Sequence, residues 1–288
     1  MSFTGGDHVW TIYQGPPRDT GEGLVNGDRF FLGGHRLYQA REGVEFARGI
    51  SGLLRELSDY RYDTSSEQPG STFVGSVANK REINSSINIF GDNPADFRFK
   101  LRRWQDNNPE DSSGRLWFLT SDGEPRYLPV RPNSSAGLSS VDMDPTIHSK
   151  LEGVEWGWIC DDPYFSGYIS RNEFTNNSVT FYNPSTAKAV YPRVYLPGPG
   201  QYTIGEITTP VLTADEIVRV DYNPLHETYI KLNMVTGETK NLWYTLEGKR
   251  PKFYLKPQTK NTVGISYTGI GADMAPYVEF TPKFRSWI

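Results

Sequence analysis

Lys150–Gly167, KLEGVEWGWIC followed by DDPYFSG, is the stretch whose reading decides the fold. Lys150–Cys160 has the length and aromatic content of one long strand. Leu151, Val154, Trp156 and Trp158 carry its apolar side, and the phase slips once near Gly153, which predicts a β-bulge. Asp161–Gly167 is turn-rich, and the character of the chain changes across it. A mixed segment precedes it, and only strands and turns follow. A chain of 288 residues exceeds the roughly 100–200 residues of a usual domain. The expected division is therefore 1–166 and 167–288.

Downstream, SVTFY, YPRVYLPG, QYTIG, EIVRVDY, ETYIKLNM, NLWYTL, KFYLKP, TVGISYT and YVEFTPKF read as strands, with no plausible helix among them. Thr236-Gly237 is the turn of a hairpin. Short strands at this spacing predict a β-sandwich.

Upstream, HVWTIY (His8–Tyr13) and RFFLGG (Arg29–Gly34) are short, aromatic and strand-like. Glu42–Leu57 fits either a helical turn or a glycine-broken strand. Asp59–Gly70 reads as an exposed loop. Thr72–Ala78 and Arg81–Phe90 alternate apolar and polar residues, so they are expected to be strands paired with each other. Asp92–Asp106 is the clearest helix. Asp92 or Asn93 caps it, Pro94 occupies the first turn, and Asp96 suits the N-terminal dipole. Phe97, Leu101 and Trp104 form its buried stripe. Arg98, Lys100, Arg102 and Arg103 lie on its other faces. They fit a solvated basic surface or, more sharply, an ion-pair surface between subunits.

Gly114–Val130 reads as a hairpin turning at Asp122-Gly123. Pro129–Ser149 then runs about twenty residues without periodicity. Such a stretch inside a compact domain suits an interface arm. Asn133, Leu138, Met143 and Ile147 are its candidate contact residues.

Composition excludes several classes. Charged residues make up 22% and hydrophobic ones 36%, so the chain is globular and not disordered. Aromatics reach 14%, and Gly with Pro is about one residue in six, which suits strands and turns. A single cysteine, Cys160, excludes an internal disulfide framework and a multi-cysteine zinc site. It is expected to be a small buried apolar residue. His8, His35, His148 and His226 are scattered and match no HExxH spacing. No apolar run reaches membrane-spanning length, and the N-terminus lacks a signal-peptide core. The expectation is a soluble protein made in a reducing cytoplasm, and the net charge of −4 argues against general nucleic-acid binding.

Catalytic motifs fail on inspection. Pro199 removes an amide that Gly198-Pro199-Gly200 would need to cradle phosphate. Gly269-Ile270-Gly271 opens no useful helix. Asp142-Met143-Asp144 lacks the glycine and terminal glutamate of a calcium loop. Asp161 and Asp162 could pair as general acid and base, but neighbours on a strand point to opposite faces. A boundary turn is the simpler reading. The sequons at Asn84, Asn133 and Asn176 read as chance matches. The expectation is no enzyme, no cofactor and no metal. Trp243, Tyr244 and Tyr254 remain as weak sugar-contact candidates, set against ordinary packing within a sandwich.

From about residue 70 onward the chain resembles the distal tail proteins of siphophages, the minor tail proteins of actinobacteriophages. The helix, the LWFLTSDG hairpin and the long strand entering Asp161-Asp162-Pro163-Tyr164 carry the likeness. Asn183-Pro184, Tyr191-Pro192-Arg193 and Gly198-Pro199-Gly200 continue it, followed by Val218-Arg219-Val220-Asp221 and Thr262-Val263-Gly264-Ile265. The resemblance implies a mainly β protein. Its first domain is a tail-tube-like β-sandwich or split barrel with one helix, and its second a galectin-like β-sandwich. It implies a structural adaptor, a homo-hexameric ring joining the tail tube to the tail tip or baseplate in the virion. Its partners would be the tail tube, tape measure and tail hub proteins. DNA would pass through the lumen without specific binding, and no membrane is involved. A carbohydrate- or receptor-binding tail module is the rival reading.

Overall fold

A computed structural model describes residues 10–19, 24–34, 41–54, 58–64, 70–120, 123–133, 144, 146–187, 190–224, 226–246, 252–269 and 274–287. The chain divides into two compact units, Met1–Ser166 with Arg285–Ile288, and Gly167–Phe284.

The first unit contains β1 (Trp10–Gln14), β2 (Arg18–Asp19), β3 (Leu24–Val25), β4 (Arg29–Gly33), β5 (Val44–Phe46), β6 (Ser58–Asp63), β7 (Thr72–Ala78) and β8 (Arg81–Phe90). These are followed by α1 (Pro94–Asp106), β9 (Gly114–Leu119), β10 (Arg126–Pro132), β11 (Lys150–Cys160) and β12 (Phe165–Ser166). Its main sheet runs β4-β1-β9-β10-β11-β8-β5. The two end strands lie alongside each other, since a Cβ added at Gly33 of β4 would sit 3.5 Å from the Phe46 ring of β5. The sheet is thus a nearly closed barrel, which leaves little free edge. Alternation supplies its filling: Ile83, Ile87 and Ile89 of β8 and Leu116 of β9 are fully buried.

Asn93 caps α1, its Oδ1 accepting from the amides of Ala95 and Asp96 at 3.0 Å each. Phe97 and Trp104 are fully buried while Leu101 is half-buried. Trp104 is the centre of an aromatic core. Its ring centroid lies 5.1 Å from Phe30, 5.3 Å from Trp156, 5.4 Å from Tyr13 and 6.4 Å from Trp158. The indole N–H groups of Trp104, Trp156 and Trp158 have no hydrogen-bond acceptor among the described residues.

The second unit contains β13 (Ser170–Glu173), β14 (Ser178–Asn183), β15 (Arg193–Pro197), β16 (Gln201–Ile204), β17 (Ile207–Thr208) and β18 (Glu216–Asp221). It continues with β19 (Thr228–Asn233), β20 (Thr239–Asn241), β21 (Thr259–Gly264), β22 (Ser266–Thr268), β23 (Tyr277–Phe280) and β24 (Lys283–Phe284). One sheet runs β13-β23-β15-β18-β19-β20, and the two-stranded β14-β21 and three-stranded β17-β16-β22 lie across the core from it. Val194, Leu196, Val218, Val220 and Val278 of the first face meet Val179, Phe181, Tyr202, Ile204 and Val263 of the second in one cluster. Phe181 stacks on Phe280 at 5.1 Å across that interface. This is the sheet-on-sheet layering that the strand spacing predicts.

The protein is mainly β with one α-helix among the described residues, as expected. The bulge is present too: the β8–β11 register shifts between Leu151 and Val154, and Gly153 has φ +67°. Several local readings need correction. Ser58–Asp63 is a strand, not a loop; its partner is β7, from Ser58↔Ala78 to Asp63↔Thr72. It was misread because this hairpin buries neither face. β7 and β8 are both strands but are not partners, since β8 pairs with β11 and β5. Alternation identifies a strand without naming its neighbour. Val44–Phe46 resolves the ambiguous Glu42–Leu57 segment as β5. Pro129–Pro132 belongs to β10 and is strand, contrary to the irregular reading of those four residues. Trp243–Leu246 is a 3₁₀ turn, and Lys252–Lys256 contributes only the isolated bridge Val190↔Leu255. No helix among the described residues is long and apolar enough to cross a membrane.

Candidate functional site

Large exposed apolar side chains mark where a chain meets something else. On the β6–β7 hairpin Tyr60 is 52% exposed, Tyr62 58%, Phe73 55%, Val74 65% and Val77 44%. Phe73 lies 6.1 Å from Tyr60 and 5.9 Å from Tyr62, ring to ring, so the three form one cluster. At aromatic areas of about 150–250 Å² each, half-exposed rings present on the order of 300 Å² of apolar surface. The register slips between Arg61 and Tyr62, where β7 inserts Val74. A hairpin of two strands with no covering layer is marginal in water on its own.

The four basic residues of α1 do different work. Lys100 pairs with Asp96 at 2.9 Å, and its side chain is only 11% exposed. Arg103 pairs with Asp28 at 2.8 Å and with Glu42, and its guanidinium lies 5.0 Å from the Phe30 ring centroid. Both are engaged within their own unit. Arg98 and Arg102 are exposed, and between them Phe99 is 64% exposed.

The arm candidates divide similarly. Asn133 is half-buried, and its amide donates to the Gly157 carbonyl oxygen at 2.9 Å. Ile147 is 69% exposed. Leu138 and Met143 lie outside the described residues. Asp144 accepts from the amide and hydroxyl of Thr146 at 2.8 and 2.6 Å. These hydrogen bonds, the hydroxyl's first, hold its carboxyl below the usual range.

The sugar-contact candidates do not converge on one cavity. Trp243 packs against the core, while Tyr244 and Tyr254 are 67% and 51% exposed. An open cavity of about 610 Å³ in this unit is lined by Glu206, Tyr222, Lys252, Phe253 and neighbours, and by none of the three. Asp161 pairs with Arg131 at 3.2 Å, whereas Asp162 Oδ1 accepts the Tyr164 amide, so the two carboxylates serve separate turns. Cys160 is buried, its thiol facing the Asp162 carbonyl oxygen. No group of three or more His, Cys, Asp or Glu among the described residues is placed to hold a metal ion.

Sequence reasoning missed the hairpin cluster, although the alternation of Tyr60 and Tyr62 with Asp59, Arg61 and Asp63 was a signal for it. It also missed Arg81, which is 3% exposed. This side chain donates to the carbonyl oxygens of Pro163, Gly52 and Arg285 at 2.8, 2.7 and 3.1 Å.

Solved structures share this fold. The SPP1 Dit protein, described as a paradigm of the hub adsorption apparatus in phages infecting Gram-positive bacteria, superposes with a TM-score of 0.59 at 14% identity. The match covers 96% of this chain and 99% of that one. The chain has the fold of a Dit-like distal tail protein. Chains of the phage p2 baseplate in its activated conformation share it too. One, with strontium, matches at TM-score 0.56 and 9% identity over 98% of this chain and all of that one. Another, with calcium, matches at 0.53 and 8%, over 96% and 99%. No family model and no curated protein matches the sequence. The Dit-like fold therefore extends through the first seventy residues, which the sequence motifs left out.

Proposed function

We propose that this chain is a structural adaptor of a phage tail tip, whose copies close into a six-membered ring between the tail tube and the tip proteins. The exposed aromatic hairpin β6–β7 carries this reading. Its rings are more than half exposed in a single copy, and a second copy offers the simplest cover, because a contact repeated around a ring also closes the assembly. The fold shared with the SPP1 Dit protein over almost the whole chain supports the same role.

Charge fits passage of DNA through such a ring. Residues 1–166 hold 17 basic and 24 acidic side chains, net −7, and residues 167–288 hold 13 and 10, net +3. DNA carries a negative charge about every 1.7 Å of its axis, so an acidic wall keeps it from sticking. The first unit would line the channel.

Native mass spectrometry of the purified chain, with labelling of the protein in particles, tests this. Six copies in one band at the tube end is the expected result. A trimer would indicate a fibre, and a monomer that binds or turns over sugars would indicate the rival module.

A further inference from the structure

We propose that the outward stripe of α1 is the seat for the β6–β7 hairpin of a neighbouring copy. This rests on the ring reading and names the two surfaces that meet. At 100° per residue, Phe97 and Trp104 define the buried face of α1. Phe99 and Arg102 fall on the opposite side, with Arg98 at its flank. Phe99 is 64% exposed, and both arginines are exposed. Arg102 has no ion-pair partner among the described residues.

The hairpin supplies what that stripe lacks. Tyr60, Tyr62 and Phe73 form an apolar ring cluster into which Phe99 fits. Their electron-rich faces accept a planar guanidinium, and a desolvated arginine–ring contact is worth more than an exposed one. Asp59, Arg61 and Asp63 on the reverse of β6 leave that face one unit negative, opposite in sign to the two arginines. The chain already uses this pairing repeatedly. Arg81 lies over Phe165 at 4.9 Å, Arg103 over Phe30 at 5.0 Å, Arg115 over Tyr127 at 5.3 Å and Arg171 over Tyr277 at 3.8 Å.

A second copy is the occupant because each chain carries both halves once. Hairpin onto helix is a head-to-tail contact between unlike surfaces, the type that generates rings when the rotation closes. A different protein docked on the hairpin would leave the Phe99 stripe of every copy uncovered.

Disulfide trapping tests the contact. A chain carrying both Phe99→Cys and Tyr62→Cys, oxidised mildly, should give a ladder of linked copies on a non-reducing gel. Either single variant should stay unlinked, because a head-to-tail contact never sets two copies of the same position face to face. Native mass spectrometry of the same samples separates the two levels of the proposal. Rings without a ladder overturn the hairpin–helix contact and leave the ring standing. Monomers in the wild type overturn both. Because cysteines at the contact can themselves weaken it, Phe99→Asp gives a second readout. It should weaken assembly about tenfold or more with an unchanged monomer melt, while Phe99→Leu assembles. Normal rings from Phe99→Asp would overturn the inference.

Discussion

Tyr13 Oη donates a hydrogen bond to the Asn107 carbonyl oxygen at 2.7 Å, which ties β1 to the C-terminal end of α1. Asn107 is fully buried. Its Oδ1 accepts the Asp28 amide at 3.0 Å, and its Nδ2 donates to Asp28 Oδ2 at 3.0 Å and to the Arg103 carbonyl oxygen at 2.7 Å. Space is tight here, since a Cβ on Gly15 would lie 2.4 Å from Asn107 Oδ1. One asparagine thus joins β1, the turn before β4 and the helix end. Losing one neutral hydrogen bond costs about 1–2 kcal/mol, and stranding buried partners costs more. Tyr13→Phe should therefore destabilise the first unit by about 1–2 kcal/mol, and Asn107→Ala by about 3 kcal/mol or more. Urea unfolding of both variants checks the ranking, and equal losses would mean that the side-chain bonds of Asn107 contribute little.

Acid should loosen the same corner. Burial pushes the Asp28 carboxyl up, but hydrogen bonds from Arg103 and Asn107 with the Arg103 charge outweigh it, and the net shift is downward. A carboxyl whose folded value lies below its unfolded one adds stability above the ordinary value of about 3.9. That contribution is lost as pH falls through the folded value. The stability gap between wild type and Asp28→Asn should accordingly be widest at neutral pH and narrow below about pH 4. Denaturation midpoints across that range decide it, and a gap that holds constant into acid would remove Asp28 from the account.

Trp104 should be the costliest single position in the first unit. Its fully buried ring touches Tyr13, Phe30, Trp156 and Trp158. The strands around it can relax only partly into the space it leaves. Trp104→Ala should cost about 3–5 kcal/mol, while Trp104→Phe recovers part of that. Calorimetry that shows the second unit melting unchanged would place the loss where the packing is.

The parts of this fold that were legible in the sequence are those whose cause is local. Asn93, Pro94 and Asp96 start α1 within four residues, and Phe97 and Trp104 mark its inner face. Gly153 announced the bulge in β11 because one extra residue breaks a period of two. Gly237, at φ +72°, made the β19–β20 turn readable in the same way. The partners of β8 were not legible, because its pairing with β11 and β5 is decided by contacts far along the chain. Nor was the work of Lys100 and Arg103, since Asp28 and Glu42 reach Arg103 from other segments. The hairpin surface was hidden for the opposite reason. Tyr60, Tyr62 and Phe73 look like core residues in a sequence, and only the structure shows that they are more than half exposed.

The last residues of the chain give a prediction about its two units. Arg285–Ile288 cluster with the first unit although Gly167–Phe284 form the second. Arg81 Nη2 donates to the Arg285 carbonyl oxygen at 3.1 Å, and Arg126 Nη1 to that of Ser286 at 2.9 Å. The Trp287 ring lies 6.1 Å from Phe118. Arg81 is the critical partner, because a buried guanidinium keeps its charge and must have every donor met. Removing residues 285–288 withdraws one of its carbonyl acceptors and a ring from the barrel. The first unit should then lose about 2–4 kcal/mol. The second unit should keep its own melt, since the core of Phe181, Val194, Val220 and Phe280 contains none of the removed residues. Residues 167–284 expressed alone should fold, with circular dichroism of a β protein and one cooperative transition. An unfolded 167–284 fragment, or a truncation that lowers only the second transition, would show that the tail belongs to the sandwich and not to the barrel.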